Sequence, residues 1–199
     1  MDPDELIPDQ KTGLSTNTES IAAFPDEKQA SEFYKIARDR LLDVNRWQDW
    51  AGTATAQFIL TDSSGKEVNR SARKGDHFKI DIPGPGSLSG EGFDWVRIEA
   101  IETSESDSLF TAIQVRPATN PLNERKDVAH FFSDEATSSF IVRLIDCQVI
   151  AGVYGRNEKP NVKAETLLDK ARHTAIATGA VSGLSKLQWK SLVNGLVKI

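Results

Sequence analysis

The sequence predicts an α+β domain: an antiparallel curled sheet or small β-barrel of seven to eight strands, flanked by one N-terminal and two C-terminal helices. Three observations predict it. Phe78, Ile80 and Ile82 alternate with His77, Lys79 and Asp81 and run into Pro83-Gly84-Pro85-Gly86, a half-buried strand stopped by a forced reversal. Further short alternating runs follow at turn-sized spacings, with no long helical pattern between them, which argues against a parallel α/β sheet. Apolar residues at three- and four-residue spacing gather toward the two ends of the chain.

Residues 1–25 mix Asp, Pro, Thr, Ser and Asn with scattered apolar residues and read as an acidic extended arm, whose deletion is expected to leave the fold intact. One α+β domain is expected over 26–199, with a β-rich core at about 53–155 and a helical segment at 162–198. Asp26 with Gln29 has capping-box spacing, and Phe33, Ala37, Leu41, Val44 and Trp47 form one apolar stripe, so a helix is expected over roughly 26–47. Ala54, Ala56, Phe58 and Leu60 alternate as a strand, and Asp62-Ser63-Ser64-Gly65 turns it. Glu67 to Ser71 returns as a weak edge strand.

Phe78–Ile82 and Phe93–Glu102 follow, then Leu109 to Val115, which Arg116-Pro117 stops. Ala129 to Phe132 is short and apolar, and Phe140–Ile145 and Val149–Tyr154 flank Asp146-Cys147 as a hairpin. Gly155 to Asn161 is rich in turn formers and closes the β region. One helix is expected from Val162, carrying Leu167, Leu168 and Ala171. A second is expected from the Ser185–Gln188 capping box, carrying Trp189, Leu192, Val193 and Leu196, with Gly179 and Gly183 between the two.

A hydrophobic content of 39% against 27% charged residues supports a real core, and no apolar run approaches the ~20 residues that cross a bilayer, so no membrane partner is expected. The acidic opening Met1-Asp2-Pro3-Asp4-Glu5 lacks a secretory pattern, and Cys147 alone forms no internal disulfide, which together predict a cytoplasmic protein. Charge is segregated: residues 1–30 hold seven acids and two bases, and residues 159–199 hold two acids and seven bases. With a net charge of −5, the basic footprint of a nucleic-acid binder is missing, and no nucleic-acid partner is expected.

No catalytic, metal or cofactor signature stands out. Gly84, Gly86 and Gly90 lead into a strand, whereas a phosphate loop opens a helix. His77, His130 and His173 lack zinc-ligand spacing, and a triad built from His77 or His130 with Ser133 or Ser138 has no nucleophile elbow behind it. The candidate binding residues are Trp50 and Trp95, as aromatic contact surface, His77, and the strand-end arginines Arg116 and Arg156. The arginines, with Arg143, suit either an ion-pair network with Asp94, Asp146 and Glu158 or an anion pocket.

The phrases Gly75-Asp76-His77-Phe78-Lys79-Ile80-Asp81-Ile82-Pro83-Gly84-Pro85, Asp94-Trp95-Val96-Arg97-Ile98-Glu99, Val115-Arg116-Pro117 and Tyr154–Asn161 resemble a group of uncharacterised bacterial proteins of the Bacteroidetes kind, over about residues 30–198. The resemblance implies no activity. The Gly-Asp strand followed by a Trp-Val-x-Ile strand is similar to SH3-like barrels, which bears on fold alone. The expected function is a non-enzymatic interaction or assembly module for a protein partner or a second copy, whose acidic arm orders on binding. The alternative is a small-molecule binder or hydrolase with a pocket between the sheet and the C-terminal helices, in the manner of a helix-grip fold. An internal cavity of a few hundred cubic ångströms with convergent polar groups favours the second, and a filled core with an exposed apolar patch favours the first.

Overall fold

The computed structural model describes residues 2–52, 56–82, 87–106, 108–161 and 181–199 and, for 181–185, the backbone alone. The expected helix from Val162 and the turn at Pro83-Gly84-Pro85-Gly86 lie outside the described residues. Strands Leu14–Ala23 (β1), Gln57–Thr61 (β2), His77–Asp81 (β3), Asp94–Ser104 (β4), Phe110–Pro117 (β5), Thr137–Ile145 (β6) and Gln148–Glu158 (β7) form one antiparallel sheet in the order β1-β7-β6-β5-β4-β3-β2. Helices Glu27–Leu42 (α1), Trp47–Ala51 (α2) and Val181–Leu196 (α3) pack against one face of it. The curled sheet expected from the sequence is therefore present. No described helix is long and apolar enough to cross a membrane.

The sheet stays open, with β1 and β2 as its edges, so the small barrel is replaced by a sheet wrapped on helices. Closure is needed when edge groups would otherwise be left bare. Here Asn45 covers part of the β2 edge: its side-chain oxygen accepts from the Leu60 N–H at 2.7 Å, and its amide donates to the Val68 carbonyl at 2.8 Å. Val68 N–H donates to the Leu60 carbonyl at 3.0 Å. Glu67 makes a single bridge to Thr61, so the expected strand at 67–71 is a covering loop. α3 runs along β1 and β7 and packs on α2.

Asp26 caps α1 as its spacing predicts, accepting from the Gln29 N–H at 2.8 Å and from the Gln29 side chain at 2.8 Å. The helix ends at Leu42 rather than 47, because Asp43 leaves the helical region (φ −93°, ψ 70°). A short 3-10 turn, Val44–Arg46, then re-aims the chain. The turn frees Asn45 for β2 and drives Trp47 into the core, 1% exposed. There its ring meets Phe58, Phe78 and Phe140 at centroid distances of 5.2, 5.4 and 4.9 Å.

α3 is already helical at Val181, which places Ser185 and Gly183 inside it rather than at its start. Its last turn is held by Arg40, whose guanidinium donates to the carbonyls of Gly195, Leu196 and Lys198 at 3.2, 3.1 and 2.7 Å. A cation beside helix-end carbonyls also complements the negative end of the helix dipole. Gly195 faces the Trp50 carbonyl so closely that a Cβ would collide with it, which lets α2 and α3 cross in contact.

The expected arm is structure instead. β1 pairs with β7 from Leu14↔Glu158 to Ala23↔Gln148. Ahead of it, the 3-10 turn Pro3–Leu6 lies on the face away from the helices, where Leu6 and Ile7 pack over Phe110, Ala112, Ile141 and Tyr154. The Leu6 carbonyl accepts from Ser139 Oγ at 2.6 Å and Gln114 Nε2 at 2.8 Å. Asn157 ties down the next stretch, accepting from the N–H groups of Lys11 and Thr12 at 2.8 and 3.1 Å. The segment is ordered within the chain itself, so it needs no partner to order it.

Candidate functional site

Strand register sorts the sheet into an inner, helix-covered face and an outer face, since directly paired residues share a side and alternate along each strand. Three inner rows cross β1, β7, β6 and β5. Ser20, Ala151, Val142 and Thr111 make one; Thr18, Val153, Phe140 and Ile113 the next; Thr16, Gly155, Ser138 and Val115 the third. The first is polar at its two ends, Ser20 and Thr111, and Tyr34 reaches the second with its hydroxyl 3.1 Å from Thr111 Oγ1. Burial raises the Tyr34 pKa. The middle row is filled by rings, with Trp189 standing 5.4 Å from Phe140 and 5.9 Å from Phe58.

The third row is different. Asn157 adopts φ 57°, a left-handed conformation that Asn tolerates, and this break in alternation folds Glu158 back over Gly155. A Cβ at 155 would collide with both the Glu158 carboxylate and the Thr16 hydroxyl, so only glycine leaves room for the acid here. Glu158 is 9% exposed. Among the described residues its one hydrogen bond is a long one, from Thr16 Oγ1 at 3.4 Å. Burial pushes its carboxyl from the usual 4.5 up to about 7, against the opposing pull of that hydrogen bond and of the Arg156 charge. The end of the inner face thus holds an acid with spare acceptor capacity, flanked by two hydroxyls, one row from an aromatic wall.

This geometry carries a stability signature. A carboxyl whose pKa is higher in the folded chain favours folding fully below about 4.5, and that contribution is lost as pH rises through about 7. The native chain is expected to lose on the order of 3 kcal/mol over this window that Glu158→Gln keeps. Urea unfolding of both proteins at pH 5 and pH 8 measures the difference. Parallel profiles would mean that the carboxyl is solvated.

The five residues singled out from the sequence do not converge. Trp50 lies on α2, half-buried, with the Arg46 and Arg40 guanidinia 5.3 and 6.0 Å from its ring. Trp95 is fully buried on the outer face of β4, its indole N–H donating to the Gly90 carbonyl at 3.3 Å. His77 sits beside it, ring centroids 6.4 Å apart; its Nδ1 is buried without a partner among the described residues, and burial lowers its pKa. The sheet separates His77 from Ser138 on the inner face, so these two cannot act together.

Arg116 and Arg156 lie on the outer face on either side of Thr137. Arg116 donates to the Asp134 carbonyl at 2.8 Å, and Arg156 to Asn17 Oδ1 at 2.7 Å and the Thr16 carbonyl at 3.2 Å. Arg143 is elsewhere, paired with Asp4 at 3.0 Å and Glu19 at 3.3 Å beside a surface groove of about 470 Å³. Its partly exposed network includes a hydrogen bond from Tyr154 to Glu19. The three arginines therefore form no single anion pocket.

Sequence reasoning offers Glu158 only as an ion-pair partner for the arginines, a pairing not found among the described residues. It misses the acid's place on the inner face because Gly155–Asn161 carries turn-forming residues, yet β7 continues to 158. The available signal is the spacing Val149, Ala151, Val153, Gly155, which extends the inner face two residues past Val153.

No family model matches the chain, and no curated protein matches it. Among solved structures it is similar to a hypothetical protein from Helicobacter pylori, 16% identical with a TM-score of 0.55, covering 94% of this chain and 87% of that one. It is also similar to a protein from Mycobacterium smegmatis, 14% identical with a TM-score of 0.43, covering 96% and 94%. A third is norcoclaurine synthase from Thalictrum flavum, 7% identical with a TM-score of 0.44, covering 94% and 88%. At such identity the Helicobacter likeness is one of fold, the other two superpose more loosely, and function has to be sought in this chain's own residues.

Proposed function

We propose that the chain is a small-molecule-binding domain of the helix-grip kind, receiving its ligand on the inner face where the aromatic row meets Thr16, Ser138 and Glu158. One observation carries this: an almost fully buried carboxylate lies on the helix-covered side with one long hydrogen bond and no ion pair among the described residues. A buried charge left in that state costs stability, and such sites recur where a ligand completes the bonding. The interaction module draws less support. The N-terminal segment is already paired with β7, which removes the partner-ordered arm on which that reading rests.

The test is uptake of the neutral fluorophore N-phenyl-1-naphthylamine. The native chain is expected to take it up saturably at one site, with a blue-shifted emission. Ser138→Leu, which fills the polar row, should weaken uptake at least tenfold while leaving the far-UV circular dichroism unchanged. Leu122→Ser, exposed beside Gly65 in the connection between β5 and β6, should not alter it. Absence of saturable uptake, or equal uptake by a folded Ser138→Leu variant, would remove the proposal.

A further inference from the structure

Resting on that binding site, we infer that its ligand is an organic cation: a compact apolar body carrying one ammonium or amidinium group, which pairs with Glu158. The complement follows from the acid's bonding. An ionised carboxylate only accepts hydrogen bonds, at about four lone-pair positions, and Glu158 uses one of them on the distant Thr16 hydroxyl. A ligand that fills the rest must donate. A neutral donor would leave the buried negative charge uncompensated, whereas an ammonium supplies both donors and the opposite charge.

Arg156 does not take this role. Its guanidinium is held at the β1 edge by Asn17 and by the Thr16 and Gly155 carbonyls. Among the described residues, the neighbours of the acid on the inner face are Thr16 and Ser138, neither of them a cation. The body of the ligand is set by the adjoining row. Phe140 lies two residues from Ser138 along β6, about 7 Å at the rise of a strand, and Trp189 stands against it. That distance matches a one- or two-ring apolar group attached to the charged nitrogen through a short linker, with the ring faces adding a cation–π attraction for any charge nearby.

A matched pair of probes tests this: 1-naphthylmethylamine, cationic at neutral pH, and 1-naphthylmethanol, its uncharged isostere. Both are titrated calorimetrically into the full chain at pH 8. The amine is expected to bind at least tenfold more tightly than the alcohol. Glu158→Gln should reduce that ratio to within twofold. Alcohol binding as tight as the amine in the native chain would overturn the ligand class while leaving the binding site standing. A preference for the amine that persists in folded Glu158→Gln would overturn the role of Glu158. Binding of neither probe would count against the site itself. Because the ratio is read in the native protein, a variant that fails to fold does not shelter the inference.

Discussion

Removal of residues 2–23 is expected to abolish cooperative unfolding. The expectation follows from three losses at once. β7 loses its partner along nine paired positions and becomes a bare edge. The outer cluster of Phe110, Ala112, Ile141 and Tyr154 loses the cover of Leu6 and Ile7, and Ser139 loses the Leu6 carbonyl that accepts its hydroxyl. α3 loses the strand it lies along and, with it, the bond from Lys190 Nζ to the Glu19 carbonyl at 2.8 Å. A domain of this kind has a net stability of about 5–15 kcal/mol, and losses on three faces exceed that margin. A thermal melt followed by circular dichroism decides it. A truncated chain that still melts cooperatively within a few degrees of the full chain would show that the strand is an accessory.

Trp95→Ala is the second large effect, with an expected loss of about 3–5 kcal/mol. Trp95 has no exposed surface, its backbone N–H donates to the Ala129 carbonyl at 2.7 Å, and its carbonyl accepts from Ala118 N–H at 2.9 Å. The backbone is therefore anchored to the connection between β5 and β6, and truncating the buried side chain opens a cavity beside His77 and strips the Gly90 carbonyl of its indole donor. Trp95→Phe keeps most of the volume and should cost far less, with the lost hydrogen bond contributing about 1 kcal/mol. Urea midpoints for both variants give the comparison. An unchanged midpoint for Trp95→Ala would move this residue to the surface.

Much of the architecture was legible because local chemistry and tertiary role agree. The Asp26–Gln29 cap, the alternation of Phe78 and Ile80, and the turn at Asp146-Cys147 each express a local preference that the fold uses. β1 was hidden because its two faces both tolerate polar residues. Thr16, Thr18 and Ser20 fall on the inner face, while Asn17, Glu19 and Ile21 fall on the outer side of an edge strand. No apolar period survives in such a segment.

The site was illegible for a different reason. Trp95 and His77 are ordinary buried neighbours, whereas Glu158 gains its character from a left-handed Asn157 and a Cβ-free Gly155. Charge burial of that kind is a tertiary property and leaves no periodic trace. The end of α1 was similarly displaced, since Trp47 keeps the helical stripe in sequence yet reaches the core through a break at Asp43.

The grip of Arg40 on residues 195–198 has a mechanical consequence. A rod clamped by three bonds at one tip, with its penultimate turn seated against a neighbouring backbone, cannot slide along the sheet as a whole. If it yields to a guest, it must swing like a door on that hinge. Loosening Arg40 would then change how quickly guests come and go more than how tightly they are held.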